Sequence, residues 1–329
     1  MKQFLSCDWG TTSFRLRLIN AENLAIIEEE KTTRGIAETF HLWKQSGKNE
    51  ESRLPFYLNI IAKHIEVIEE KSGISLSNLP VIISGMASST IGMIDLSYKD
   101  IPIAVNGEDL KIHVIEATDS FKHKTVIISG VRSADDVMRG EETKLVGCAS
   151  GILNQEEHFY IFPGTHPKHI EVKNGKAVAF KTYMTGEFFE LLSKKSILSV
   201  SVKQGQDLVP ENNLPSFEKG VKDSINANLL HSSFLVRTND LFKKLTTEEN
   251  YYYLSGLIIG AELKDVIDET RNITIVANAT LAAQYITALR VLNSPKANAL
   301  VTSMDADEAL IKGQMEVYKK AASFKELKA

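Results

Sequence analysis

Only two of the 329 residues are cysteine. Cys7 and Cys148 can form neither a disulfide framework nor a thiolate metal cluster, so both are expected to be small buried residues. Eight prolines and 19 glycines exclude a collagen-like or low-complexity chain. No apolar run approaches the roughly 20 residues of a membrane helix. Met1 leads straight into a strand-like stretch without a basic, apolar leader, so a cytoplasmic protein with no membrane partner is expected. The formal charge of −4 supplies no basic face for nucleic acid, and an anionic ligand would need a local cluster. Two phosphate-binding signatures are also missing. No Gly-Lys-Ser/Thr ends a Walker loop, and no G-x-G-x-x-G follows a strand.

What is present is an ordinary globular composition, 43% hydrophobic and 24% charged, long enough for two domains. Residues 3–8, 13–20 and 24–31 read as strands, with Phe14, Leu16 and Leu18 alternating against Arg15 and Arg17. Residues 56–72 carry one apolar helical face and stop at Gly73. Segments 79–85 and 124–130 read as buried strands running into glycine, and Asp135 or Asp136 could cap a helix through Leu145 and Val146. Residues 158–181 then repeat the opening plan: a strand, a turn at Gly164-Thr165, a second strand, Asn174-Gly175, and a third strand. The Gly10-Thr11 and Gly164-Thr165 turns lie about 150 residues apart, one domain length. The repeat predicts a duplicated α/β domain with two facing loops and a cleft. Helices are expected at 185–194, 247–267 and 305–322, and a strand, turn and helix over 272–289. Residues 196–245, with Pro210 and Pro215, read as polar and irregular.

Each Gly-Thr turn alone is an ordinary hairpin turn. Two copies facing one cleft point instead to backbone N–H groups cradling phosphate, with Asp8 at a strand end placed to hold Mg²⁺ through water. "VMRGEET" (137–143) is either a solvated helix start or a carboxylate that accepts a hydroxyl proton beside an arginine for an anionic substrate. Arg139 and Glu141 can converge only if Arg139 and Gly140 precede the helix. "GMASSTIGM" (85–93) is a connector or a set of donors for a polyhydroxy ligand. In "YMTGEFF" (183–189), Thr185 is a helix N-cap or a ligand contact, followed by Gly186 and Glu187. Ser255, Gly256, Gly260 and Ala261, and the turn "ANAT" (277–280), suit either a nucleoside or helix packing. His166 and His169 read as turn and strand residues, since no third metal ligand is suitably spaced.

"DWGTTSFRLRL", "GMASSTIG", "VMRGEETKLVG", "FPGTHPKHI", "MTGE" and "LSGLIIGAEL" follow one another over nearly the whole chain. Together they resemble the 2-dehydro-3-deoxygalactonokinase family, bacterial sugar-acid kinases of the D-galactonate pathway. The resemblance implies a duplicated ribonuclease-H-like (actin/hexokinase-like) two-lobe α/β fold with a central cleft. Residues 1–155 would form the lobe with the first phosphate loop and the sugar-acid site. Residues 156–329 would form the lobe with the second phosphate loop and the adenosine site, the final helix being free to return to the first. It further implies phosphorylation of the 6-hydroxyl of 2-dehydro-3-deoxy-D-galactonate, with ATP and Mg²⁺ as cofactors and the sugar acid and ATP as small-molecule partners, and it leaves the oligomeric state open. Asp8 would organise Mg²⁺, and Gly10, Thr11, Thr12, Gly164, Thr165 and His166 would hold phosphates. The base would come from Asp136, Glu141 and Glu142, with Glu141 inside the motif and favoured. Arg139 would take the substrate carboxylate, alongside Gly85, Met86, Ser89, Thr185 and Glu187 in the acceptor site. Gly256, Gly260, Asn278 and Ala279 would receive adenosine. Met93 stands where the family usually has Trp, Leu96-Ser97-Tyr98 where it has Ala-Pro-Tyr, and Pro163 where many superfamily members have a metal-binding acid. Asn278 could supply the left-handed residue of a glycine-rich adenosine turn. Three other readings share the fold: a kinase for a related sugar acid, a non-catalytic nucleotide- or sugar-binding regulator, and a phosphohydrolase. Intact Asp8 and "VMRGEET" favour the kinase.

Overall fold

Alternating apolar residues and tight turns build the opening sheet of the computed structural model, which describes residues 2–47, 49–149, 157–205, 208, 213–226, 228–296 and 299–326. Strands β1 (Gln3–Trp9), β2 (Phe14–Asn20) and β3 (Ile26–Thr32) form an antiparallel meander. Helices α1 (Ile36–Gln45) and α2 (Arg53–Ser72) follow, and α2 ends at Gly73 in the left-handed conformation, φ 67°. Next come β4 (Val81–Gly85), β5 (Lys99–Asp100), β6 (Ile103–Ala104), β7 (Ile112–Ile115), β8 (Thr125–Ile128), β9 (Val131–Arg132), β10 (Val137–Met138) and α3 (Glu141–Ala149). The main sheet has the order β3-β2-β1-β4-β8-β7, with β1, β4 and β8 parallel. Phe14, Leu16 and Leu18 pack with Tyr57, Ile61, Ile65 and Ile68 of α2 in one core. The helix expected from an Asp135 or Asp136 cap starts later, at Glu141, because Ser133–Asp136 closes a turn leading into the β9-β10 pair.

The second half runs through β11 (His158–Phe162), β12 (Lys168–Lys173), β13 (Lys176–Thr182), α4 (Thr185–Lys195), α5 (Leu214–Asn226), α6 (Leu229–Leu241), α7 (Thr247–Leu263), β14 (Asn272–Val276), α8 (Ala279–Leu292), β15 (Val301–Met304) and α9 (Ala306–Glu326). Asn174 and Gly175 both have positive φ, 51° and 69°, as a tight two-residue hairpin turn requires. Strand order is β13-β12-β11-β14-β15, with β11, β14 and β15 parallel. Each half thus places a three-strand meander beside parallel strands, and the chain has a duplicated ribonuclease-H-like fold of the actin/hexokinase kind. Residues 196–245, expected to be irregular, contain α5 and α6. Pro210 and the 155/156 boundary lie outside the described residues.

Contacts divide the chain into two units: Met1–Glu156, Asn174–Ala179 and Asp307–Ala329 in one, Glu157–Lys173 and Phe180–Ala306 in the other. Within the first unit, α9 covers the sheet face opposite α2, and with it Arg17 of β2. That side chain is fully buried, donates from Nε to Glu29 at 2.6 Å and has Nη2 2.5 Å from Asp307 Oδ2. Gln314 of α9 is buried too, and its amide donates to the Cys7 carbonyl at 2.9 Å and to Ser84 Oγ at 2.8 Å.

Candidate active site

Asp8 ends up at the edge of a small-residue surface because β1 and β4 run parallel and pair Asp8 with Ser84 and Trp9 with Gly85. Its carboxylate is half-buried and takes no hydrogen bond from a described residue. The adjoining turn is closed by Gly10 N–H donating to the Ser13 carbonyl at 2.9 Å, with Thr11 and Thr12 exposed. The start of α1 backs this turn. Ile36 N–H donates to the Gly10 carbonyl at 2.9 Å and Ala37 N–H to that of Thr11 at 3.1 Å. Gly35, not singled out from the sequence, allows that approach: a Cβ there would stand 2.2 Å from the Thr11 oxygen.

Two glycines with positive φ connect Asp8 to the other motifs of this unit. At Gly85 (φ 91°) a Cβ would lie 3.5 Å from Asp8 Oδ1 and 2.8 Å from the Trp9 oxygen. At Gly140 (φ 112°) a Cβ would lie 3.5 Å from the Gly85 Cα. Segments about 75 and 55 residues apart in the chain therefore meet as consecutive contacts. Met86 is half-buried, and Ser89 is not a free donor, since its hydroxyl donates to the Met86 carbonyl at 2.7 Å. Met93 lies in the core.

Arg139 and Gly140 do precede α3, so Arg139 and Glu141 come together as only that arrangement permits. Glu141 Oε2 accepts the Arg139 backbone N–H at 3.1 Å. Glu142 is fully buried, and both its oxygens accept the Gly140 N–H, at 2.9 and 2.7 Å. Burial, then the charge of Glu141, pushes its carboxyl up to about 7. The Arg139 guanidinium donates from Nη1 to the Ser88 carbonyl at 2.5 Å and to Ser88 Oγ at 2.6 Å, and lies 4.2 Å from the Tyr98 ring centroid. Asp136 belongs to the β9-β10 turn, its Oδ1 accepting Val137 N–H at 2.7 Å, and lines a groove of about 820 Å³ with Tyr98, Asp100, Ile101 and Arg132.

In the second unit "PGTH" and "MTGE" form one structure. A Cβ on Gly186 would stand 2.4 Å from the Gly164 oxygen and 2.7 Å from the Thr165 Cα. Glu187 N–H donates to the Thr165 carbonyl at 3.1 Å, and its carboxylate meets His166 Nε2 at 2.6 Å. Thr185 is not the N-cap, because α4 begins at Thr185 and Met184 precedes it without a side-chain cap. A cavity of about 230 Å³ opens beside this loop, lined by Gly164, Thr185, Phe189, Tyr251, Ser255 and Tyr285 among others. Tyr285 is fixed from behind by Glu262 at 2.7 Å, and Glu262 pairs with buried His169 at 2.8 Å, a structural use of that histidine.

Gly256, Gly260, Asn278 and Ala279, expected at adenosine, do not line this cavity. Gly256 and Gly260 face α5, where added Cβ atoms would come 2.1 Å from the Phe217 oxygen and 2.4 Å from Ser224 Oγ. Asn278 is extended, φ −64°, rather than left-handed, and its side chain caps α8 by accepting Leu281 N–H at 3.0 Å, with Ala279 the first helical residue. Phe189, Tyr251 and Tyr285 escaped notice because aromatic residues on helices read equally well as core. Among the described residues no cluster of three or more His, Cys, Asp or Glu side chains could hold a metal.

A profile of the family described as 2-keto-3-deoxy-galactonokinase matches residues 8–317. The chain is 28% identical over 320 residues to the 2-dehydro-3-deoxygalactonokinase of Escherichia coli (strain K12), covering 94% of this chain and 96% of that one. A candidate enzyme of the same name in Rhizobium meliloti (strain 1021) is 28% identical over 322 residues, 94% of each chain. The crystal structure of a candidate 2-dehydro-3-deoxygalactonokinase from Sinorhizobium meliloti superposes with a TM-score of 0.78 at 26% identity, over 97% of this chain and 96% of that one.

Proposed function

Because the chain belongs to the 2-keto-3-deoxy-galactonokinase family, we propose that it transfers the γ-phosphoryl group of ATP to the 6-hydroxyl of 2-dehydro-3-deoxy-D-galactonate. The observation that carries this reading is the contact path Asp8–Gly85–Gly140, which sets an uncommitted carboxylate and an exposed threonine turn beside the start of α3. One free carboxylate suits Mg²⁺, which keeps most of its waters and takes its other oxygens from phosphate. Bound there, the ion would neutralise charge on the transferring phosphoryl group. The turn at Gly10–Thr12 would present backbone and hydroxyl donors to phosphate oxygens.

Glu141 is the better base of the acidic pair. The proton affinity of Glu142 suits the task, but its carboxylate is sealed from solvent and committed to Gly140. Glu141 is half-buried and, among the described residues, bonded through Oε2 alone, which leaves Oε1 for a hydroxyl proton. Such a base contributes about 10²–10⁴-fold, and positioning and charge neutralisation supply the rest. Arg139 would bind the acceptor carboxylate. In the second unit, Thr165 and the N-terminus of α4 would hold phosphate, and the aromatic cavity has the apolar character a purine needs.

ADP release from Mg·ATP tests this with 2-dehydro-3-deoxygalactonate, its gluconate epimer, neutral hexoses and no acceptor. Turnover with the galactonate compound alone is expected. Turnover only with another acid keeps the kinase and changes its substrate. Release without acceptor indicates a phosphohydrolase, and ATP binding without turnover a regulator. Asp8→Asn should lower kcat at least about a hundredfold while acid binding by calorimetry stays within about threefold. Near-normal turnover in that variant removes Asp8 from the metal role.

A further inference from the structure

We propose that Tyr98 and Ser88 are positioning residues that make Arg139 a flat, edge-on receptor for the acceptor's carboxylate, an inference resting on the acid site proposed above. A guanidinium carries five N–H donors in a rigid fork. Here both Nη1 bonds run to Ser88, to its carbonyl at 2.5 Å and its hydroxyl at 2.6 Å. One face is covered by the Tyr98 ring, 4.2 Å away. That ring is itself confined. It lies against the backbone of Gly130, where a Cβ would come 2.8 Å from Tyr98 Cε1, and the neighbouring Lys99 N–H is tied to the Gly130 carbonyl at 3.0 Å.

The edge formed by Nε and Nη2 is left over. Nε is buried and has no hydrogen-bond partner among the described residues. The adjacent acid does not serve it, because Glu141 bonds the Arg139 backbone instead. A buried N–H without an acceptor is unfavourable, because it has given up water and gained no partner. A carboxylate arriving edge-on would satisfy Nε and Nη2 together through two parallel bonds. A neutral hexose would offer only uncharged hydroxyl oxygens, which accept weaker bonds than a carboxylate, and a lysine would supply a point charge without the fork. Selection of a sugar acid over a neutral sugar follows from this geometry.

The test compares wild type with Arg139→Ala, Arg139→Lys, Tyr98→Leu, Tyr98→Phe and Ser88→Ala. It uses steady-state KM and kcat, calorimetric binding of 2-dehydro-3-deoxygalactonate without ATP, and circular dichroism to verify folding. Arg139→Lys and Tyr98→Leu should each raise acid KM and Kd about tenfold, with kcat within about threefold and ATP KM unchanged. Tyr98→Phe, which keeps the ring face, should remain at wild type. Ser88→Ala should raise acid KM about threefold, and it decides the matter if Tyr98→Leu does not fold. Normal acid binding in Tyr98→Leu and Ser88→Ala, with impaired binding in Arg139→Ala, overturns the positioning role and leaves the acid site standing. Normal binding in Arg139→Ala removes the acid site and this inference with it.

Discussion

Glu141 and Glu142 are chemically alike and adjacent, yet burial separates them. Glu142 is enclosed, its oxygens fixed on the Gly140 N–H, and its carboxyl is raised from 4.5 to about 7, first by burial and second by Glu141. Its folded pKa lies above its unfolded value, so the folded state binds the extra proton between pH 4.5 and about 7. The associated stability is fully present below pH 4.5 and lost as pH rises through about 7. At about 1.4 kcal/mol per pKa unit the change is on the order of 3 kcal/mol. Urea unfolding of wild type and Glu142→Gln between pH 4.5 and 8 should show the difference moving toward the glutamine variant by about 2–3 kcal/mol. A difference independent of pH would contradict the buried assignment. None of this was visible in "RGEET", where the two acids are interchangeable.

Helix starts do the same work in both units. The first turn of α1 backs the Gly10–Thr12 turn through Gly35, and that of α4 backs Gly164–Thr165 through Gly186. A methyl group at either glycine would meet backbone at 2.2 or 2.4 Å, and backbone cannot rotate aside as a side chain can. Overpacking of this kind costs about 1–3 kcal/mol, so Gly35→Ala and Gly186→Ala should each raise ATP KM about tenfold while acid binding by calorimetry stays near wild type. Unchanged ATP kinetics would detach these loops from the nucleotide. The "MTGE" motif was legible in the sequence, but its reason was not. Gly186 is required by a loop some 20 residues earlier, and such a contact leaves no periodic signal. The helices α5 and α6 were missed for a related reason. Leu230 and Phe234 of α6 are 80% and 51% exposed, which blurs its apolar face, and α5 owes its fit to small residues that let it approach α7.

The first unit is completed only by the end of the chain. Asp307 stands beside buried Arg17, Gln314 bonds β1 and β4, and Ala309, Leu310, Ile311, Met315 and Val317 of α9 are buried. Gly313 of α9 abuts α3, where a Cβ would come 1.8 Å from the Thr143 oxygen. Ending the chain at Asp305 would strip part of the pairing from Arg17, a loss of about 3–5 kcal/mol for a buried charge, and expose the sheet face as well. Hydrogen exchange on such a truncation should show lost protection at β1, β2 and β4 with protection kept at β11 and β14. Equal loss in both sheets would mean that the two units unfold together.

By itself the sequence determined the strand meanders, the repeated plan, the position of Asp8 at a strand end and the motifs that identify the family. These are local properties, written in side-chain period and turn chemistry. Tertiary structure decided which polar groups are sealed and which are left open. Arg17 alternates as an exposed residue would, but a helix some 290 residues away covers it. Gly256 and Gly260 serve α5, Asn278 caps a helix, and one edge of Arg139 lacks a partner among the described residues. Burial and partner satisfaction are set by whatever the rest of the chain brings near, and no window of neighbouring residues contains that information.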